Sequence, residues 1–304
     1  MRLVDIKKDW KKNKSVYFLA IPIVIYFLIW HYAPIVGLLL GFEEYSPRGG
    51  IVGSEWIGVK NFVDFFKSYY FGRLIKNTLI LSIFSIIINF PSPIILALLL
   101  NELENQIFKK VVQTISYLPY FISTVVICGI VIDFLGYDGA FTSILLNMGL
   151  IKERQDLLAL KSAFRPIFVL SGTWQGVGYG SIIYLAALSG VDQELYEAAK
   201  IDGAGRWRQT IHITLPSIAP TIIIMFILIM GSLLNVSMEK IILLYRPVTY
   251  ETADVISSFV YRRGLQEGAY GYSTAVGIFN SIVNMALMFT TNAISAKYSE
   301  TSLF

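Results

Sequence analysis

Six stretches of this chain stay apolar for about 20 residues each, and this limits the possible folds more than any other feature. They lie near Val16–Leu40, Asn77–Leu100, Val111–Leu135, Ile167–Leu188, Ile218–Leu234 and Ala275–Ile294. A helix needs roughly 20 apolar residues to cross about 30 Å of hydrocarbon. In lipid, each backbone polar group must also be bonded within its own segment or by protein neighbours. The runs predict an all-α membrane protein with six transmembrane helices. Composition agrees, since 15% of residues are charged, against about 25% in soluble domains. Residues 15–304 are expected to form one membrane domain behind a basic N-terminus at residues 1–14.

That N-terminus carries Lys7, Lys8, Lys11, Lys12 and Lys14. A signal peptide would have a shorter apolar core and a small-residue cleavage site, so the first run is read as a retained helix. Basic segments stay in the cytoplasm. An even number of spans returns the C-terminus to the same side, so both termini are expected there. Residues 101–110 and 189–216 then face inward, and about 41–76, 136–166 and 241–272 face outward. Lys109 and Lys110 support this orientation, while Arg262 and Arg263 on the outer side do not. A net charge of +4 fits basic inner segments better than nucleic-acid binding. The lone Cys128 excludes a disulfide within the chain. His31 and His212 fall on opposite membrane sides in this topology, so no shared metal site is expected.

Inside the spans, three features stand out. Gly172, Gly176 and Gly180 share one face of the fourth run and would admit a close helix neighbour. Asn89-Phe-Pro-Ser-Pro interrupts the second run, and a kink there serves packing or movement equally well. In the outer segment, Phe62, Phe65, Phe66 and Tyr69 recur at helical spacing and predict a short surface helix of the aromatic-belt kind.

Residues 189–216 are the most informative part of the chain. Asp192 is placed to cap a helix, with Glu194 in its first turn. Leu195, Ala198 and Ala199 fall on one side of that helix, and Glu194, Glu197 and Lys200 on the other. Gly203 and Gly205 break it, and Arg206–Leu215 is expected to form a second short helix before Pro216. On pattern alone the segment fits an amphipathic helix on lipid as well as a joint to a soluble partner.

Glu197-Ala198-Ala199, then Gly203, then Ile213-Thr214-Leu215-Pro216 resembles the EAA signature of permeases in binding-protein-dependent (type I) ABC importers. Trp174-Gln175, Ile183–Leu188 and Asp202-Gly203-Ala204 look like the sugar-permease branch. Gln266–Gly277 is similar to a subgroup handling complex oligosaccharides and polysaccharide fragments. One departure is Thr210-Ile211-His212, where relatives often carry an aromatic residue. The resemblance implies a cytoplasmic coupling helix between the fourth and fifth spans, with Glu197, Ala198, Ala199, Asp202, Gly203, Ala204 and Arg206 at the joint. It also implies a second homologous permease, two ATPase subunits that bind ATP and Mg2+, and an extracellular sugar-binding protein, expected to be a lipoprotein. No cofactor is expected on this chain, which has no phosphate loop and is not expected to be an enzyme. The expected location is the bacterial plasma membrane.

Sugars are held by side-chain hydrogen bonds and aromatic faces, and polar residues inside spans tend to face a cavity or a partner helix. The candidates for an oligosaccharide path are Trp174, Gln175, Asn235, Ser237, Glu239, Tyr270, Tyr272, Asn280 and Asn284. Each of them is also a plausible helix-packing residue. The alternative reading, a secondary transporter or channel for a polar solute, would call for buried acids or inverted repeats. Asp133 is one intramembrane acid near a helix end, and no repeat is visible. An intramembrane enzyme would need a nucleophile–base pair, and none is evident.

Overall fold

The computed structural model describes residues 10, 12–299, 302 and 303. Lys7, Lys8 and Lys11 of the basic N-terminus lie outside the described residues. Almost all of the ordered structure is helical, with one two-residue ribbon pairing Glu43 with Trp56 and Glu44 with Glu55.

Among the described residues, five helical segments are long and apolar enough to cross a membrane: Lys14–Phe42, Phe71–Asn101, Thr124–Asn147, Arg206–Met230 and Tyr270–Lys297. The expected fourth run lies in the 26-residue helix Phe164–Ser189. At about 1.5 Å per residue this helix is long enough to span. Its glycines, Ser171, Thr173, Trp174 and Gln175 lower its hydropathy below that of the other five.

The expected third run, Val111–Leu135, is not one helix. Asn105 caps Gln106–Tyr117 by accepting from the Ile107 and Phe108 N–H groups, both at 3.0 Å. A tight turn at Leu118–Phe121 follows, where Pro119 supplies no N–H, and Ile122 is extended with ψ 134°. Ser123 then caps a new helix, Thr124–Leu135. The hydropathy of the run concealed the break. The Asn89–Pro93 interruption is milder. Phe90 keeps helical angles and its N–H reaches the Ile86 carbonyl, so Phe71–Asn89 passes into Pro91–Asn101 with only a local disturbance.

The chain forms two compact units, residues 1–66 with 263–278, and residues 67–262 with 279–304. In the first, the apolar segment Lys14–Phe27 buries no side chain, as suits a helix in contact with lipid. The expected outer helix is present as Lys60–Lys67, with Phe65 buried. Asn61 fastens it by donating from Nδ2 to the Gly41 and Glu43 carbonyls, both at 3.1 Å.

The second unit is built around Phe164–Ser189. One end of this helix joins an apolar core of Leu81, Phe164, Phe168, Val169, Ile241 and Leu244. The other end joins Ala97, Tyr184, Leu188, Val191 and Ile218. In lipid, apolar contact alone discriminates little, so close packing and interhelical hydrogen bonds decide the arrangement. The closest approach is at Gly178, where an added Cβ would lie 1.9 Å from the Ser116 carbonyl oxygen. The expected face at Gly172, Gly176 and Gly180 is less crowded: Gly176 has open space, and Gly180 meets only Pro93 at 3.1 Å.

A polar network holds one end of the second unit, where residues 250–262 meet the helices that begin at Phe71 and Phe164. Asp254 is fully buried. Its Oδ2 accepts from Arg262 Nη2 at 2.7 Å, its Oδ1 accepts from the Ser258 hydroxyl at 2.8 Å, and Arg73 lies 3.7 Å away. Asn77 donates to the Glu251 and Asp254 carbonyls and accepts from Arg165 Nη2 at 2.9 Å.

Candidate functional site

The motif segment begins as its local chemistry requires. The Asp192 carboxylate accepts from the Glu194 N–H at 3.0 Å, satisfying one of the free donors at the start of Gln193–Ile201. The helix ends in a left-handed turn at Gly203, with φ +74°. The Ala204 N–H returns to the Ala199 carbonyl at 2.8 Å and the Gly203 N–H to Lys200 at 3.0 Å, the bond pattern of a Schellman cap. Gln209 Nε2 secures the turn from outside by donating to the Ala204 carbonyl at 2.7 Å.

The second helix does not stop before Pro216. Arg206–Gln209 widens into a π turn over Thr210–Thr214 and continues as Leu215–Met230. The Leu215 N–H reaches back five residues to the Thr210 carbonyl. Widening the turn accommodates a proline that cannot donate and whose ring crowds the preceding turn. The second half of the motif segment, from Arg206, and the span that follows are therefore one continuous helix, Arg206–Met230.

Tyr196 sets the side of Gln193–Ile201 that meets the body. Tyr196 packs against the Ala97–Tyr184–Ile218 core, and its hydroxyl is 2.9 Å from the Thr214 hydroxyl. Leu195 and Ala198 remain exposed. So do Ile201 and Trp207, at 87% and 76%. Trp207 thus presents an aromatic residue three positions before the stretch where one was missed. Arg206 lies 3.0 Å from Glu104 and 3.6 Å from Glu102, joining this segment to the short loop after Asn101. Both pairs are exposed, and each contributes about 0–1 kcal/mol.

A second site lies in the middle of Phe164–Ser189, between its two apolar cores. It is a cavity of about 300 Å3, lined by residues that include Ser82, Asn89, Phe168, Gly172, Gln175, Asn235, Ser237 and Lys240. This is the low end of the range for small-molecule sites, about 300–1,000 Å3. Gln175 is held by donating to the Ile122 carbonyl at 3.2 Å, a group in the break between helices. Asn235 Oδ1 accepts from Asn280 at 2.7 Å and Asn284 at 3.0 Å. Asn284 Oδ1 in turn accepts the buried Leu234 N–H at 2.9 Å. The structure therefore brings Gln175, Asn235, Ser237, Asn280 and Asn284 to one place.

Four of the expected path residues lie elsewhere. Trp174 and Glu239 are exposed and do not line the cavity. Tyr270 is edge-on to Tyr45 at 5.6 Å, and Tyr272 to Phe65 at 6.3 Å, both within the first unit. Of the cavity residues that sequence reasoning did not place in the path, Ser82 and Asn89 among them, the charged one is Lys240. It is 6% exposed, and its ammonium lies 5.0 Å from the centre of the Phe168 ring. Such a contact contributes about 0.5–2 kcal/mol. The available signal was a lone cation between the polar Ser237 and the apolar run Ile241–Leu244.

The apolar helical spans and the polar cavity are the features of a membrane transport protein. The chain belongs to the family of binding-protein-dependent transport system inner membrane components, which it matches over residues 69–300. It is 43% identical to protein LplB of Bacillus subtilis over 97% of this chain and 92% of that protein. It is 41% identical to the polygalacturonan/rhamnogalacturonan transport system permease protein YteP of the same organism, over 96% and 91%. Among solved structures, it superimposes with a TM-score of 0.89 and 43% identity on a bacterial ABC transporter involved in the import of the acidic polysaccharide alginate, covering 97% of this chain and 99% of that one. A second structure of a bacterial alginate ABC transporter, in complex with an alginate pentasaccharide-bound periplasmic protein, matches equally well, with a TM-score of 0.89 and 42% identity. This chain is accordingly a membrane permease subunit of an ABC importer, and it is not itself an enzyme.

Proposed function

We propose that this oligosaccharide permease converts ATP-driven movement of partner subunits into access changes at the cavity, using residues 193–215 as the joint. The observation that carries the reading is the exposure of Leu195, Ile201 and Trp207 on a segment otherwise rich in charge. Large apolar side chains left exposed on an otherwise polar segment suit a contact with a partner. Glu197, Ala198, Ala199, Asp202, Gly203, Ala204 and Arg206 surround them. An ATPase groove that takes the apolar residues and pairs with Glu197 fits this arrangement. Because Arg206–Met230 is continuous, a displacement at the joint reaches the fifth span as a rigid-body movement.

The rest of the assembly follows from the family. A second homologous permease completes the path, two ATPase subunits bind ATP and Mg2+, and an extracellular sugar-binding protein, in this reading a lipoprotein, delivers the oligosaccharide. Counting Phe164–Ser189 with the five more apolar segments gives six spans within one transmembrane domain, residues 15–304. Both termini then lie in the cytoplasm of a bacterial cell. The names of the relatives support a polysaccharide-derived cargo. Gln175, Asn235 and Ser237 line the cavity and are the path residues it supports best, with Asn280 and Asn284 bonded to Asn235; Trp174, Glu239, Tyr270 and Tyr272 remain candidates outside its lining.

The test compares uptake of a labelled oligosaccharide panel in cells carrying the intact transporter and cells carrying Glu197→Lys. Membrane insertion and co-purification of the ATPase are followed in both. The expected result is loss of uptake and of ATPase association from a chain that is still inserted. Unchanged uptake would show that Glu197 is not part of the joint.

A further inference from the structure

The cavity contains one cation and no anion. Every other polar group in its lining is an uncharged hydroxyl or amide. Lys240 lies in that wall, more than nine-tenths buried. Among the described residues, no carboxylate comes within ion-pair distance of its ammonium, and its neighbour Glu239 is exposed outside the lining. Phe168 and Gly172, one turn apart on the same helix, face the ammonium with an aromatic ring and a bare Cα, and Lys240 is part of the cavity lining. A Cβ at residue 172 would sit 3.2 Å from Nζ. Buried charges are normally paired. A wall of neutral donors and acceptors around one uncompensated cation suits a ligand with many hydroxyls and one negative charge per unit.

We propose that Lys240 receives a carboxylate of the transported sugar, which makes this cavity a subsite for oligosaccharides of uronic acids. The proposal rests on the importer reading above and deepens it. Ser82, Asn89, Gln175 and Asn235 bind sugar hydroxyls, while Lys240 distinguishes an acidic unit from its neutral counterpart. The site lies in the permease itself, so its selectivity adds to that of the delivering protein.

The test uses the purified complex of this chain with its second permease and ATPase subunits, without the sugar-binding protein. Calorimetric titration compares trigalacturonate with its carboxyl-reduced counterpart, galactotriose. The acidic sugar is expected to bind about 10-fold or more tightly, the size of a charge-assisted hydrogen bond. Lys240→Gln and Lys240→Met should bring the ratio of the two affinities to about one, and Lys240→Arg should retain most of it. Gly172→Ala keeps the charge but crowds the ammonium, and should lower the ratio as well. Equal affinities in the unaltered complex would overturn the proposal while leaving the importer reading intact, and so would an equal fall for both sugars in Lys240→Gln. A sulfated galactotriose binding as tightly as trigalacturonate would overturn the carboxylate assignment. Loss of the second permease from the Lys240→Gln complex would show instead that the cation pairs with that subunit.

Discussion

The turn at Gly203 allows a conformational requirement to be separated from a spatial one. Residues 203 and 205 are both glycine, both lie in the turn between the two motif helices, and at both a Cβ would meet no heavy atom within 4 Å. They differ in backbone angle. Gly203 has φ +74° and Gly205 has φ −68°. A side chain at 203 therefore costs about 1–2 kcal/mol from the left-handed conformation, whereas one at 205 adds no strain and stabilises by about 0.4–1 kcal/mol through the unfolded chain. A cost of 1–2 kcal/mol shifts the equilibrium from closed to open turn by about 5- to 30-fold. Asn tolerates the left-handed region better than Ala. Sugar-stimulated ATPase activity of the reconstituted transporter should therefore rank Gly205→Ala equal to the unaltered protein, Gly203→Asn lower, and Gly203→Ala lowest, although Asn is the larger residue. If Gly205→Ala harms coupling as much as Gly203→Ala, glycine is needed there for room against the partner, and the backbone argument is wrong.

Asp254→Ala leaves Arg262 and Arg73 without their buried counter-charge and should destabilise by about 3 kcal/mol. This is the lower end of the range, because both arginines are partly exposed. Thermal unfolding of the purified complex measures it, and a loss below about 1 kcal/mol would refute the network. Asn284→Ala removes the acceptor of the buried Leu234 N–H and should cost about 1–3 kcal/mol. Asn284→Asp keeps the acceptor oxygen but loses the amide that donates to Asn235 Oδ1 and buries a carboxyl, so it should recover little of that loss. The Lys161 ammonium donates to Glu251 and holds its carboxyl below the usual range. The resulting stability is present above the unfolded carboxyl pKa of about 4.3 and is lost as pH falls further, through the lower folded value. Glu251→Gln should flatten the melting-temperature profile below about pH 4.3, and an unchanged slope would show that the pair contributes nothing.

Much of the joint was legible because its determinants are local. A carboxylate immediately before a helix-favouring run, and a glycine that ends it, act on their own backbone, so Asp192 and Gly203 could be placed from sequence. The face of Gln193–Ile201 could not be, because Leu195 and Tyr196 are both suitable core residues. The choice is made by Thr214, 18 residues away, offering Tyr196 a hydroxyl partner. The third span was misread because hydropathy averages over Pro119 and does not register the loss of one N–H. Gly178 was passed over for Gly172, Gly176 and Gly180 because a small-residue spacing marks a face without saying what approaches it. Lys240 required the most distant information. Its neighbours Phe168 and Gly172 come from another helix, and no local pattern identifies a cation whose counter-ion is absent.

The widened turn at Thr210–Thr214 also bears on how length changes in this region would be tolerated. A π turn holds one residue more than an α turn, so the five residues are a slack loop drawn into a rod. Shortening them by one residue would return the stretch to regular α-helix while Leu215–Met230 keeps its facing. The same deletion within Leu215–Met230 would turn everything beyond it by about 100° and carry the buried Ile227 away from its neighbours. Residues 210–214 can thus lose one residue without re-aiming the helix that follows them.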